Sequence, residues 1–99
     1  MLHMVVMTHG PETCAAVDKT SGEMARSAIT QMETVSKKLQ CFIKGAWVDP
    51  PAHVFYVLAD APNAHVVNQA MEELKFMLWN TIDIHPIVTL EEAMNLAAK

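Results

Sequence analysis

Ninety-nine residues, 52% of them hydrophobic, suffice for one domain around one core, spanning residues 1–99. The net charge is −4, with seven Lys and Arg against eleven Asp and Glu and no basic run longer than Lys37-Lys38. That balance excludes the positive field that displaces counterions from a nucleic acid or holds a protein on an anionic membrane surface. Cys14 and Cys41 form neither a CxxC pair nor a zinc spacing, so a reduced, cytoplasmic protein is expected.

In chain order, the apolar run Met1–Thr8 reads as a buried strand, closed by the turn signal Gly10-Pro11. It lacks the positive flank of a signal peptide, and no stretch approaches the ~20 apolar residues of a membrane span. Pro11 fits a first helical position and Glu12 suits the positive end of the helix dipole. Val17, Met24, Ala28, Met32, Val35 and Leu39 then recur at helical spacing, predicting helix over 11–40 with those side chains inward. Thr20-Ser21-Gly22-Glu23 has the form of a capping box, which predicts two unequal pieces or a kink near Ser21-Gly22.

Residues 41–48 and 54–59 read as a hairpin about Asp49-Pro50-Pro51, because the prolines cannot donate to a ladder. Asn63 caps a helix over 64–78, with Val67, Ala70, Met71, Leu74 and Leu78 inward. Residues 81–88 form the last strand, and the capping box Thr89-Leu90-Glu91-Glu92 opens a short helix to Ala98. The order is β-α-β-β-α-β, an α+β class, with the first and last strands expected side by side at the centre of the sheet. Two helices on one face leave the other open. With little chain to spare, two copies pairing face to face are the expected cover. The eight methionines, whose thioethers fill irregular gaps, suit such an interface or a ligand cavity.

Three segments carry a family likeness. Met1–Thr8 resembles the opening strand of muconolactone isomerases. Ala59-Asp60-Ala61-Pro62-Asn63 is similar to their strand-to-helix corner, and residues 82–88 to their final strand. Gly45-Ala46-Trp47 and the acidic start of the last helix are similar to a related group of uncharacterised dimeric α+β barrel proteins. The resemblance implies a ferredoxin-like βαββαβ sandwich paired into a dimeric α+β barrel, in some cases within larger rings. It also implies proton transfer on a lactone ring without metal or cofactor. The chain departs from that pattern in having Met4 and Val6 where the isomerases place polar or basic groups. It also has His85 where they carry a carboxylate.

Asp83 and His85 are two apart on a strand and share a face, with Ile82, Ile84 and Pro86 on the other. The apolar set belongs under the helices, which sends Asp83 and His85 to the open face as an acid/base pair, His85 acting and Asp83 orienting it. The competing reading of the two is a polar rim at a dimer seam. In strand one, burial logic turns His3 and His9 to the open face, since a histidine under helices needs partners. The resemblance instead implies that Met4, Val6 and Thr8 face the cavity. Lys44 is a candidate base or anion anchor, Tyr56 a hydroxyl donor to a bound carbonyl, and Trp79 a pocket wall. His53 and His65 follow a turn and a cap, where exposed histidines are ordinary. No two histidines or cysteines lie at metal-binding spacing on one element, so no metal or cofactor is expected.

The expectation is a homodimer holding a small apolar or aromatic-derived molecule between sheets and helices, with Met4, Val6, Tyr56, Asp83 and His85 as the lining. The alternative is a non-catalytic structural or regulatory dimer with a self-filled cavity.

Overall fold

A computed structural model describes residues 1–97. In chain order the elements are β1 (Leu2–Thr8), α1 (Lys19–Leu39), β2 (Phe42–Asp49), β3 (Val54–Asp60), α2 (Ala64–Glu73), β4 (Thr81–Ile87) and α3 (Leu90–Ala97). Single 3-10 turns lie at Pro11–Thr13 and Phe76–Leu78. All strand pairs are antiparallel in the order β2-β3-β1-β4, which is the ferredoxin-like α+β sandwich expected from the sequence. β1 and β4 are neighbours, as expected, but β4 is an edge strand and the centre belongs to β1 and β3. Pro86 gives the reason, since its missing N–H is tolerated at an edge and not in a central ladder.

Strict alternation along β1 buries His3, Val5 and Met7 beneath the helices and leaves Leu2, Met4, Val6 and Thr8 on the open face. His3 therefore corrects the burial argument. Its ring is fully buried, and neither nitrogen has a hydrogen-bond partner. The cause is the period of two: His3 shares parity with Val5 and Met7, and no register can bury those two while freeing the imidazole. On β4, Ile82 and Ile84 pack on the core as expected, whereas Pro86 is exposed at the sheet edge.

The first helix does not break at Ser21-Gly22. After the 3-10 turn the chain bends through residues 14–18, and α1 then runs unbroken from Lys19. Asp18, not Thr20, is the cap: its carboxylate accepts the Ser21 N–H at 2.9 Å and the Ser21 hydroxyl at 2.8 Å. Gly22 is required because the incoming bend presses on the helix, so that a β-carbon there would stand 2.9 Å from the Ala15 carbonyl oxygen. Val17 falls in the bend, outside the helical repeat, and is exposed rather than inward.

Both hydrogen bonds to Ser21 hold the Asp18 carboxyl below the ordinary carboxylate range, the backbone one more strongly. A lowered folded-state pKa contributes stability above the unfolded value of ~3.9 and loses it as pH falls through the folded value. Asp18→Ala is expected to lower the Tm at pH 7 and to lower it much less at pH 2–3. A deficit independent of pH in thermal scans would contradict this account.

The second predicted helix also ends early. Lys75 adopts a left-handed conformation (φ 64°), which stops α2 and rotates the following turn. Phe76 and Trp79 thereby become buried, while Leu78, expected inward, is exposed. The core between sheet and helices is built from Val5, Met7, Ala28, Val35, Val57, Val67, Met71 and their neighbours. α3 opens as read, with the Thr89 hydroxyl accepting the Glu92 N–H at 3.0 Å, and its expected end at Ala98 lies outside the described residues. Leu90, Met94 and Leu96 on α3 are exposed. Among the described residues no helix is long and apolar enough to cross a membrane.

Candidate functional site

The sheet separates two candidate sites. On the open face, cross-strand pairing lines up two rows: Trp47, Tyr56, Val6 and Asp83 in one, Gly45, Leu58, Met4 and His85 in the other. Met4, Val6, Tyr56, Asp83 and His85 thus share a face, as alternation predicts for Asp83 and His85 and as the resemblance, not the burial argument, implies for Met4 and Val6. Gly45 is needed there because the Trp47 indole lies over its backbone, where a β-carbon would come 2.5 Å from the ring. Phe42, Trp47 and Tyr56 expose 41%, 56% and 38% of their surface, so aromatic area large enough to matter faces outward. Asp83 and His85 are exposed and make no hydrogen bond to one another among the described residues. Lys44 does not alternate with Ile43 and Gly45 as the sequence suggests. It sits at a bulge between them, without a partner on β3.

The second site lies on the helix side. An apolar crevice of about 260 Å³ opens between α1 and the sheet, walled by Met7, Ile29, Met32, Phe55, Phe76 and Trp79. Of the predicted lining residues it contains Trp79, and it contains none of Met4, Val6, Tyr56, Asp83 or His85. A pocket between sheet and helices is present, but its wall comes from the opposite parity of β1 and β3, with Trp47 of the edge strand β2 also bordering it. The Trp79 indole N–H is buried without an acceptor, and the ring lies edge-on to Phe55 at 5.7 Å.

Beside the crevice, and sharing Val48 and Phe55 with it, is a cluster that sequence spacing missed. His9 follows β1, Cys14 follows the 3-10 turn, and His53 closes the β2–β3 hairpin. One ligand atom from each lies within 4.8 Å of the other two. The backbone fixes all three. Cys14 N–H donates to the Pro11 carbonyl, and the Cys14 carbonyl accepts the Val17 and Asp18 N–H groups. His53 takes φ 55°, a left-handed conformation in which histidine is over-represented, and donates its N–H to the Pro50 carbonyl at 3.2 Å. Its own carbonyl accepts the His9 N–H at 3.2 Å. Contrary to the exposed position expected after a turn, His53 is half-buried.

The orientation of His9 follows from Asn80. The Asn80 amide NH2 donates to the Phe76 carbonyl at 3.2 Å, which fixes its Oδ1 as the acceptor toward His9 Nδ1 at 3.0 Å. His9 must then carry its proton on Nδ1, and in the neutral ring Nε2 presents a lone pair. That Nε2 is buried without a partner, as is Nδ1 of His53. The two rings meet edge to face at 5.3 Å. Leaving such atoms unpaired typically costs about 1–3 kcal/mol each, so a native fold that does so twice in one cluster calls for a cause.

The thiols of Cys14 and Cys41 are both free, and burial pushes the Cys41 thiol pKa up, with the Asp60 charge adding to the effect. Neither a protein-family model nor a curated protein matches this chain.

Proposed function

We propose that the protein is a homodimer, its two sheets packed open face to open face, and that each subunit holds a small, largely apolar molecule in the crevice between α1 and the sheet. The crevice carries this reading. About 260 Å³ walled by methionine, isoleucine and aromatic side chains suits a molecule of roughly one ring, just below the ~300–1,000 Å³ range of drug-sized ligand sites. Its open volume argues against a domain whose cavity is filled by its own side chains. The second copy is supported by the row of exposed aromatics on the open face and by the exposed Leu90, Met94 and Leu96 of α3.

Proton transfer on a carbonyl or lactone, the chemistry implied by the likeness to muconolactone isomerases, belongs to the other face. His85 as acid/base and Asp83 as its orienting partner would act on a molecule lying between the two sheets. The crevice occupant cannot reach them through the sheet. Binding in the crevice is thus the activity supported within one subunit, and turnover at His85 is a property of the assembled dimer.

Native mass spectrometry of freshly purified protein, repeated under denaturing conditions, tests the reading. The expected result is a dimer with a small extra mass that is lost on denaturation. A monomer overturns the dimer. A dimer without a passenger, whose Trp79 fluorescence in a Trp47→Phe background is unmoved by small aromatic lactones or hydrocarbons, overturns the crevice as a ligand site.

A further inference from the structure

We propose that His9, Cys14 and His53 form a binding site for a single transition-metal ion, zinc being the ion that the donor set fits best. The inference goes beyond the crevice reading and stands independently of it. Two imidazole nitrogens and one thiol make a borderline-to-soft donor set, which disfavours calcium and magnesium and suits zinc. The ligand atoms lie within 4.8 Å of one another, whereas donors at zinc bond lengths of ~2.0–2.3 Å stand about 3.5 Å apart. At most about an ångström separates the present spacing from that of a bound ion.

Three features separate this cluster from a chance meeting of polar side chains. His9 Nε2 and His53 Nδ1 are buried and, among the described residues, unpartnered, so each imidazole keeps a nitrogen free to coordinate. The Asn80 carboxamide holds His9 by its other nitrogen and fixes the tautomer, which is the outer-shell arrangement that metal-bound histidines use. Two of the ligands come from segments whose backbones are bonded together, the His9 N–H donating to the His53 carbonyl, and Cys14 is fixed within its own turn. Three protein donors leave a fourth tetrahedral position for water, beside Val48 and Phe55, which also wall the apolar crevice. On binding, the Cys14 thiol gives up its proton to solvent and coordinates as thiolate, so that one proton is released per ion and affinity rises with pH.

The test is titration of the chelator-treated full chain with Co(II), then displacement by Zn(II). The expected result is one ion per chain, with a thiolate-to-cobalt charge-transfer band and the visible bands of a tetrahedral site, both bleached by zinc. Cys14→Ser should abolish the charge-transfer band, and Cys41→Ser should leave it intact. His53→Ala should weaken binding more than tenfold. Asn80→Ala, which touches no ion, should weaken it roughly 10–100-fold as a positioning residue, while circular dichroism shows the fold retained. Absence of the charge-transfer band in the wild-type chain, or equal affinity in the Cys14→Ser and His53→Ala variants, would overturn the site. Stoichiometric binding of Cu(I) with none of zinc would overturn the choice of ion.

Discussion

On the proposed face-to-face dimer, Trp47→Glu combined with Tyr56→Glu is expected to take the mass in light scattering from that of two chains to that of one, with circular dichroism unchanged. The two residues face each other across β2 and β3 on the open side of the sheet, and Tyr56 also faces Val6 on β1. Within one subunit both side chains are substantially exposed, so charging them removes little core packing and leaves the folded chain intact. In a face-to-face dimer the same positions fall within the covered face, and the two-fold axis duplicates them. Four carboxylates would then be taken out of water without a cation opposite them, a desolvation cost of several kcal/mol for each ion. That exceeds what a small interface can supply after the entropy of association is met. Only β2–β3 hairpin pairs are changed, and Asp83 and His85 are untouched. A dimer that survives both charges would place its interface elsewhere, with the exposed Leu90, Met94 and Leu96 of α3 as the surface to test next.

The fold was legible because two periodicities carry it. Alternation in residues 82–85 sorts Ile82 and Ile84 from Asp83 and His85, and the structure sorts them the same way. The helical repeat through Met24, Ala28, Val35 and Leu39 likewise packs α1 on the core. Errors fell where a single residue resets the phase. Lys75 in the left-handed region ends α2 and exchanges Leu78 for Phe76 and Trp79, yet nothing in a lysine announces that conformation. The bend at 14–18 ejects Val17 from the repeat, although Asp18 three residues before Ser21 could have been read as the cap.

The site was less legible for a geometric reason. Asp83 and His85 were found because they lie on one strand, where spacing is a direct measure of facing. His9, Cys14 and His53 lie on a strand end, a turn and a hairpin, and only the sheet register brings them together. That register pairs Thr8 with Val54 and so sets His9 beside His53. A search for ligand spacing on one element cannot see such a cluster. The available signal was topological: in a βαββαβ sheet the end of β1 and the start of β3 are neighbours, and each carries a histidine.

Trp79→Ala is expected to cost about 3–5 kcal/mol and Trp79→Phe far less, a difference that urea denaturation can read directly. Trp79 is 5% exposed and its ring meets His9 at 5.2 Å, Phe55 at 5.7 Å and Phe76 at 6.3 Å. Truncation to alanine removes those contacts and enlarges a crevice that α1 already fails to fill. A domain of this size has on the order of 5–15 kcal/mol in total, so the alanine variant loses roughly a fifth or more of it. Phenylalanine keeps an aromatic edge against Phe55 and loses volume, but it also removes a buried N–H that has no acceptor. Relief of that unpaired donor, typically worth about 1–3 kcal/mol, offsets the smaller ring. If phenylalanine proves as damaging as alanine, the indole N–H has an acceptor in solution.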